Sequence, residues 1–74
     1  MHMEHQIIDN KEAKRYELPV GDKKAIIEYI LVKEKIYLTH TEVPKSLTGQ
    51  GFGSEIIRQA LEDIKQRDLT LIPL

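Results

Sequence analysis

From Ala25 to Val32 the chain reads Ala-Ile-Ile-Glu-Tyr-Ile-Leu-Val. β-branched and aromatic residues dominate it, and so continuous an apolar run predicts a strand buried on both faces. Shorter extended segments come first. Residues 5–9 predict a short strand and Asn10 to Lys14 a charged connection. Arg15 to Pro19 reads as a second strand, followed by the turn residues Val20-Gly21-Asp22. After Val32, Lys33-Glu34 leaves just enough chain for a tight hairpin, although the favoured Asn-Gly pair is missing. Ile36 to Val43 then returns until Pro44 ends the strand.

A two-residue loop would set Val32 opposite Lys35, Tyr29 opposite Leu38 and Ile27 opposite His40. One sheet face then carries Ile27, Tyr29, Leu31, Ile36, Leu38 and His40, and the other Ile26, Glu28, Ile30, Tyr37, Thr39 and Thr41. The first is more apolar and is the expected bed for a helix. A bulge near the end of the returning strand would reverse its outer residues, His40 among them.

Helical periodicity takes over after Gly51. Phe52, Ile56, Ile57, Ala60, Leu61 and Ile64 share one stripe of a 3.6-residue repeat, opposite Glu55, Arg58, Gln59, Glu62, Asp63 and Lys65. The polar side reads as a solvated face. Arg58 with Glu62 and Asp63 with Arg67 are spaced for pairing worth roughly a few tenths of a kcal/mol. Gln66-Arg67-Asp68 ends the helix, and Leu69 to Leu74 predicts a last strand. A strand, a helical crossover and another strand imply parallel pairing through a right-handed connection. The expected fold class is therefore α+β: an antiparallel meander, a glycine loop, one long helix and a parallel strand.

Length and composition narrow the function. Seventy-four residues make a single domain, 1–74, that buries about 60% of its unfolded surface. Without cysteine there is no disulfide, thiolate chemistry or Cys-based zinc site, which suits a reducing cytoplasm. A formal charge of −1, with acids and bases interspersed, argues against nucleic acid as a partner. No apolar run is long enough to span a membrane. Glu4, His5 and Gln6 interrupt where a signal peptide would be apolar, so a cytoplasmic protein is expected. Met1-His2-Met3 has the look of an appended leader and is given no function. His2 and His5 lack convergent ligands, and no metal is expected.

The most informative segment is Val43-Pro44-Lys45-Ser46-Leu47-Thr48-Gly49-Gln50-Gly51-Phe52-Gly53-Ser54, with glycine at every second position before and into the helix. Glycine lets backbone N–H groups point outward together, and the first helical turn leaves its own N–H groups unpaired at the positive end of the macrodipole. Such a loop suits a phosphate or diphosphate. A Walker loop would need a lysine that is not in the required place, and a dinucleotide fingerprint would need a third glycine where Ser54 stands. A plainer alternative is a tight strand-to-helix turn that binds nothing.

The segment resembles motif A of the Gcn5-related N-acetyltransferases: Gln or Arg, two residues, Gly, one residue, then Gly or Ala. Here the pattern falls on Thr48, Gly49, Gln50, Gly51, Phe52 and Gly53, with Thr48 in place of the charged or amide residue. The preceding His40-Thr41-Glu42-Val43-Pro44 is similar to the small, single-domain, YjdJ-like branch, and the order of elements extends the likeness over nearly the whole chain. The resemblance implies acetyl-CoA (coenzyme A) as cosubstrate. Its diphosphate would lie on the amides from Gly49 to Ser54 and its pantetheine arm on the backbone at Glu42 and Val43. A small-molecule or protein amine would be the acceptor.

In such an enzyme the attacking amine must be neutral, and His40 and Glu42 are the candidate bases, on one side of the strand by alternation. A backbone N–H near Val43 is the family-like donor to the developing oxyanion. Each has a plainer account, His40 as a partly buried histidine satisfied by a neighbour and Glu42 as a solvated carboxylate. Tyr37 is a candidate acid for the leaving thiolate, though a packed strand tyrosine explains it as well.

Family members continue past the parallel strand with another helix, whereas this chain stops at Leu71-Ile72-Pro73-Leu74. The expectation is a core lacking its C-terminal part, prone to form a homo-oligomer through the exposed last strand, or binding its cofactor weakly. The alternative to an enzyme is a non-catalytic coenzyme A-binding or protein-interaction module.

Overall fold

The computed structural model describes residues 5–73. Met1-His2-Met3, with the suspected leader and His2, lies outside the described residues, as do Glu4 and Leu74. The chain forms β1 (Ile8–Asn10), β2 (Arg15–Val20), β3 (Lys23–Val32), β4 (Lys35–Glu42), a short 3-10 turn (Lys45–Leu47), α1 (Phe52–Gln66) and β5 (Thr70–Leu71). The five strands lie in sequence order in one sheet, antiparallel from β1 to β4 and parallel between β4 and β5. This is the expected α+β fold. Among the described residues no helix is long and apolar enough to cross a membrane.

One sheet face and one helix stripe make the core. Tyr16, Leu18, Ala25, Ile27, Tyr29 and Ile36 point from the sheet toward Phe52, Ile56, Ala60 and Ile64 of α1. Ile57 and Leu61, placed by periodicity on the same stripe, lie at its edge, 41% and 42% exposed. β3 is buried on one face only: Ala25, Ile27 and Tyr29 are covered, whereas Ile30 and Val32 are about half exposed at 52% and 53%. The expectation of two-sided burial fails because the single helix covers one face.

The hairpin Lys33-Glu34 forms with Val32 opposite Lys35 and Tyr29 opposite Leu38, and Lys33 takes a left-handed φ of 57° to close it. Beyond that the register shifts. Glu28 faces His40 and Ile27 faces Thr41, so Thr39 is the extra residue of a β-bulge, its Oγ1 donating to the Glu28 carbonyl at 3.3 Å. His40 is thereby turned from the helix face to the open face.

The ends of the chain also differ from expectation. Residues 5–7 do not pair as a strand; Gln59 of α1 holds them, donating to the His5 carbonyl (2.8 Å) and accepting from the Ile7 N–H (2.9 Å). β5 is confined to Thr70–Leu71.

The helix face read as solvated is partly structural. Asp63 accepts from the Tyr16 hydroxyl at 2.8 Å, and Arg67 joins Asp63 (3.2 Å) to Asp9 (2.7 Å), which accepts from the Tyr29 hydroxyl. On the opposite sheet face the Glu17 carboxylate is 7% exposed beside Arg15 (2.7 Å), Asn10 (3.0 Å) and Lys24 (3.4 Å). The hydrogen bond from Arg15, above all, holds it below the ordinary carboxylate range.

Candidate functional site

The strand-to-helix connection is built by its own side chains. Pro44 ends β4, and the 3-10 turn closes with the Leu47 N–H on the Pro44 carbonyl (2.9 Å) and the Thr48 N–H on the Lys45 carbonyl (3.2 Å). Thr48 Oγ1 donates to the same Lys45 carbonyl at 2.8 Å, and Gln50 Nε2 donates to the Ser46 carbonyl at 3.0 Å. Both bonds brace the loop, while Thr48 and Gln50 themselves stay exposed. Leu47 and Phe52 anchor it in the core, and the His5 and Phe52 rings meet edge-to-face with centroids 5.1 Å apart.

The two glycines that precede the helix set the loop's backbone. φ is +77° at Gly49 and +86° at Gly51, whereas Gln50 between them is not left-handed. Alternating backbone handedness turns successive N–H groups to one side, the geometry of an anion nest. Gly51 is also the N-cap of α1 and offers no side chain to the first turn. The earliest amide of the helix to find a backbone acceptor is Glu55, on the Gly51 carbonyl at 3.0 Å. Among the described residues, the amides from Gly49 to Ser54 meet no backbone or side-chain acceptor in hydrogen-bonding geometry. They lie at the positive end of a helix of four turns, where Gly49, Gln50, Gly51 and Ser54 are exposed, Gly53 is half-buried and Phe52 is buried.

The three glycines do different work. Alanine at Gly51 would be forced into a conformation that L side chains resist, and Gly51→Ala is expected to lower stability by about 1 kcal/mol. Gly53 has ordinary helical backbone, and a Cβ there would meet only Val43 Cγ2 at 3.5 Å. Gly53→Ala is thus expected to leave the melting temperature unchanged or slightly raised; equal losses in the two variants would contradict the assignment.

Upstream, the bulge decides where the candidate bases stand. His40 and Glu42 both follow Thr39, so they keep to one side, His40 Nε2 lying 3.6 Å from Glu42 Oε1. Their side chains are 55% and 66% exposed, so His40 is not partly buried, and Glu42 keeps the exposure of a solvated carboxylate. Tyr37 lies on the same open face, opposite Ile30. β4 pairs with β5 only at Lys35 and Ile36, which leaves its outer edge without a strand partner from Tyr37 to Glu42 among the described residues.

Among the described residues, concavities occur away from the loop. A cleft of about 300 Å³ runs between residues 6–7 and the outer face of α1 at Arg58 and Gln59, and a hollow of about 210 Å³ lies among Lys11, Lys14, Tyr29, Leu31 and Arg67. Neither of these is lined by a residue of the glycine loop. No group of three or more His, Cys, Asp or Glu able to hold a metal occurs among the described residues. The sequence gives no signal for the bracing roles of Thr48 and Gln50, or for the grip of Gln59, since each depends on a carbonyl placed by the fold.

A sequence model of the GCN5-related N-acetyl-transferase family matches residues 15–74, which takes in β2 to β5 and the whole loop. No curated protein matches the chain.

Proposed function

Because the chain belongs to the GCN5-related N-acetyltransferase family, we propose that it transfers an acetyl group from acetyl-coenzyme A to a small-molecule or protein amine. The observation that carries this is the run of amides from Gly49 to Ser54 left without protein acceptors among the described residues. Six unsatisfied donors at a helix start are an arrangement that an anion completes.

Acetyl-coenzyme A would bring its acyl group already activated as a thioester. The loop amides would hold its diphosphate. The main chain at Glu42 and Val43 would hydrogen-bond the pantetheine arm along the unpaired edge of β4, as an added strand does. The Val43 N–H is the donor available to the acyl oxygen. His40 and Glu42 would take the proton from the acceptor amine, and their exposure on the open face leaves them reachable from solvent.

Titration with acetyl-coenzyme A, followed by backbone amide shifts, tests the loop directly. The expected result is a set of shifts concentrated at residues 49–54 with a weaker set at 42–43. A spectrum unmoved at saturating ligand would reduce the loop to a turn. Turnover against a panel of amines then distinguishes an enzyme from a non-catalytic coenzyme A-binding or interaction module.

A further inference from the structure

Backbone amides donate hydrogen bonds but carry no net charge, whereas a diphosphate is anionic and is held best by a charged partner as well. Between Val43 and Ser54 the one charged residue is Lys45. The other polar side chains there are neutral, and two of them are engaged: the Thr48 hydroxyl donates to the Lys45 carbonyl and the Gln50 amide to the Ser46 carbonyl. Arg58, farther along α1, is held by Glu55 at 2.6 Å and Glu62 at 3.5 Å. Lys45 is exposed and enters no ion pair among the described residues.

Its place in the fold suits the task. Lys45 opens the 3-10 turn that runs to Leu47, with Thr48 as its C-cap. The three-residue repeat of such a turn sets Lys45 and Thr48 on one side, about 6 Å apart along the axis, and Gly49 follows directly. A flexible four-carbon stem spans that interval. We propose that Lys45 supplies the charged contact to the diphosphate, from the turn that precedes the amide nest. This rests on the reading of the loop as a coenzyme A site and adds to it the residue that neutralises the ligand.

The test is calorimetric titration of the full chain with coenzyme A and with dephospho-coenzyme A, which keeps the diphosphate but lacks the 3′-phosphate. At low ionic strength Lys45→Ala is expected to weaken both ligands about ten-fold, and the difference should shrink in roughly 0.5 M salt. Lys45→Arg should keep most of the affinity. Thr48→Arg in the Lys45→Ala background should restore much of it by returning charge to the same side of the turn. Lys65→Ala, in the last turn of α1 and about 20 Å away, should bind as the parent does. Equal affinity of parent and Lys45→Ala for both ligands would overturn the role of Lys45 while leaving the loop reading intact. A loss confined to coenzyme A would overturn the diphosphate assignment in favour of the 3′-phosphate. Failure of the parent to bind either ligand would overturn both readings.

Discussion

Replacing Glu42 with glutamine is expected to lower acetyl transfer about 100-fold, with His40→Ala costing a similar factor. The size follows from the state of the acceptor. An amine with an ordinary lysine pKa of about 10.4 is only about 0.04% neutral at pH 7, a penalty of roughly 4.6 kcal/mol that a positioned base relieves. The bulge at Thr39 sends His40 to the open face, and strand alternation brings Glu42 beside it at 3.6 Å. Side chains this close on one face of the strand can serve one acceptor amine, so the two groups should act as one unit. The double variant should then lose little more than either single one, the mark of residues sharing a task. Measurement of kcat/KM against pH over an amine panel checks this. Profiles identical to the parent in both single variants would remove the pair as the base.

Above pH 10 the domain is expected to lose stability steeply. Tyr16 and Tyr29 are buried in the core with their rings 5.3 Å apart. Burial first, and then the carboxylates that accept from them, Asp63 and Asp9, raise both phenols well above the ordinary 10.0. A group whose folded pKa is raised contributes fully below its unfolded value and loses that contribution as pH climbs toward the folded one. Below pH 10 both states keep the protons; above it the unfolded chain releases two that the folded chain retains. Each tyrosine then approaches a loss of about 1.4 kcal/mol per pH unit. Against a total on the order of 5 kcal/mol for a domain of this size, one unit of excess pH should depress the melting temperature by about 10 °C or more. Circular-dichroism melts from pH 8 to 12 would show it, and the paired substitution Tyr16→Phe with Tyr29→Phe should flatten the slope. A parent melting temperature constant up to pH 11.5 would mean that the phenols are not held protonated by the fold.

The elements that local pattern dictates were legible in the residues. The Lys33-Glu34 hairpin, the helix beginning at Phe52 and the parallel return of the last strand each follow from spacing and turn chemistry over a few positions. The glycine loop was legible for the same reason, since left-handed backbone at Gly49 and Gly51 is a property of glycine itself. A bulge near the end of β4 could be raised only as an alternative, because Thr39 is an ordinary strand residue and nothing adjacent marks it as the extra one. The one-sided burial of β3 depends on how many helices cover the sheet, which its own apolar composition cannot express. Gln59 and Asp63 read as solvent-facing because their partners, the backbone at His5 and Ile7 and the Tyr16 hydroxyl, are about fifty positions away in sequence. Thr48 and Gln50 look like ligand contacts in a motif, yet both are engaged by carbonyls of the preceding turn.

The main-chain character of the loop has a practical corollary for mutagenesis. Side-chain truncation leaves peptide groups in place, so a systematic alanine survey of residues 49–54 would register the backbone change at two glycines and pass over most of the proposed amide contacts. Swapping single amide linkages for esters by chemical synthesis, one position at a time, is the perturbation to which this kind of surface should respond.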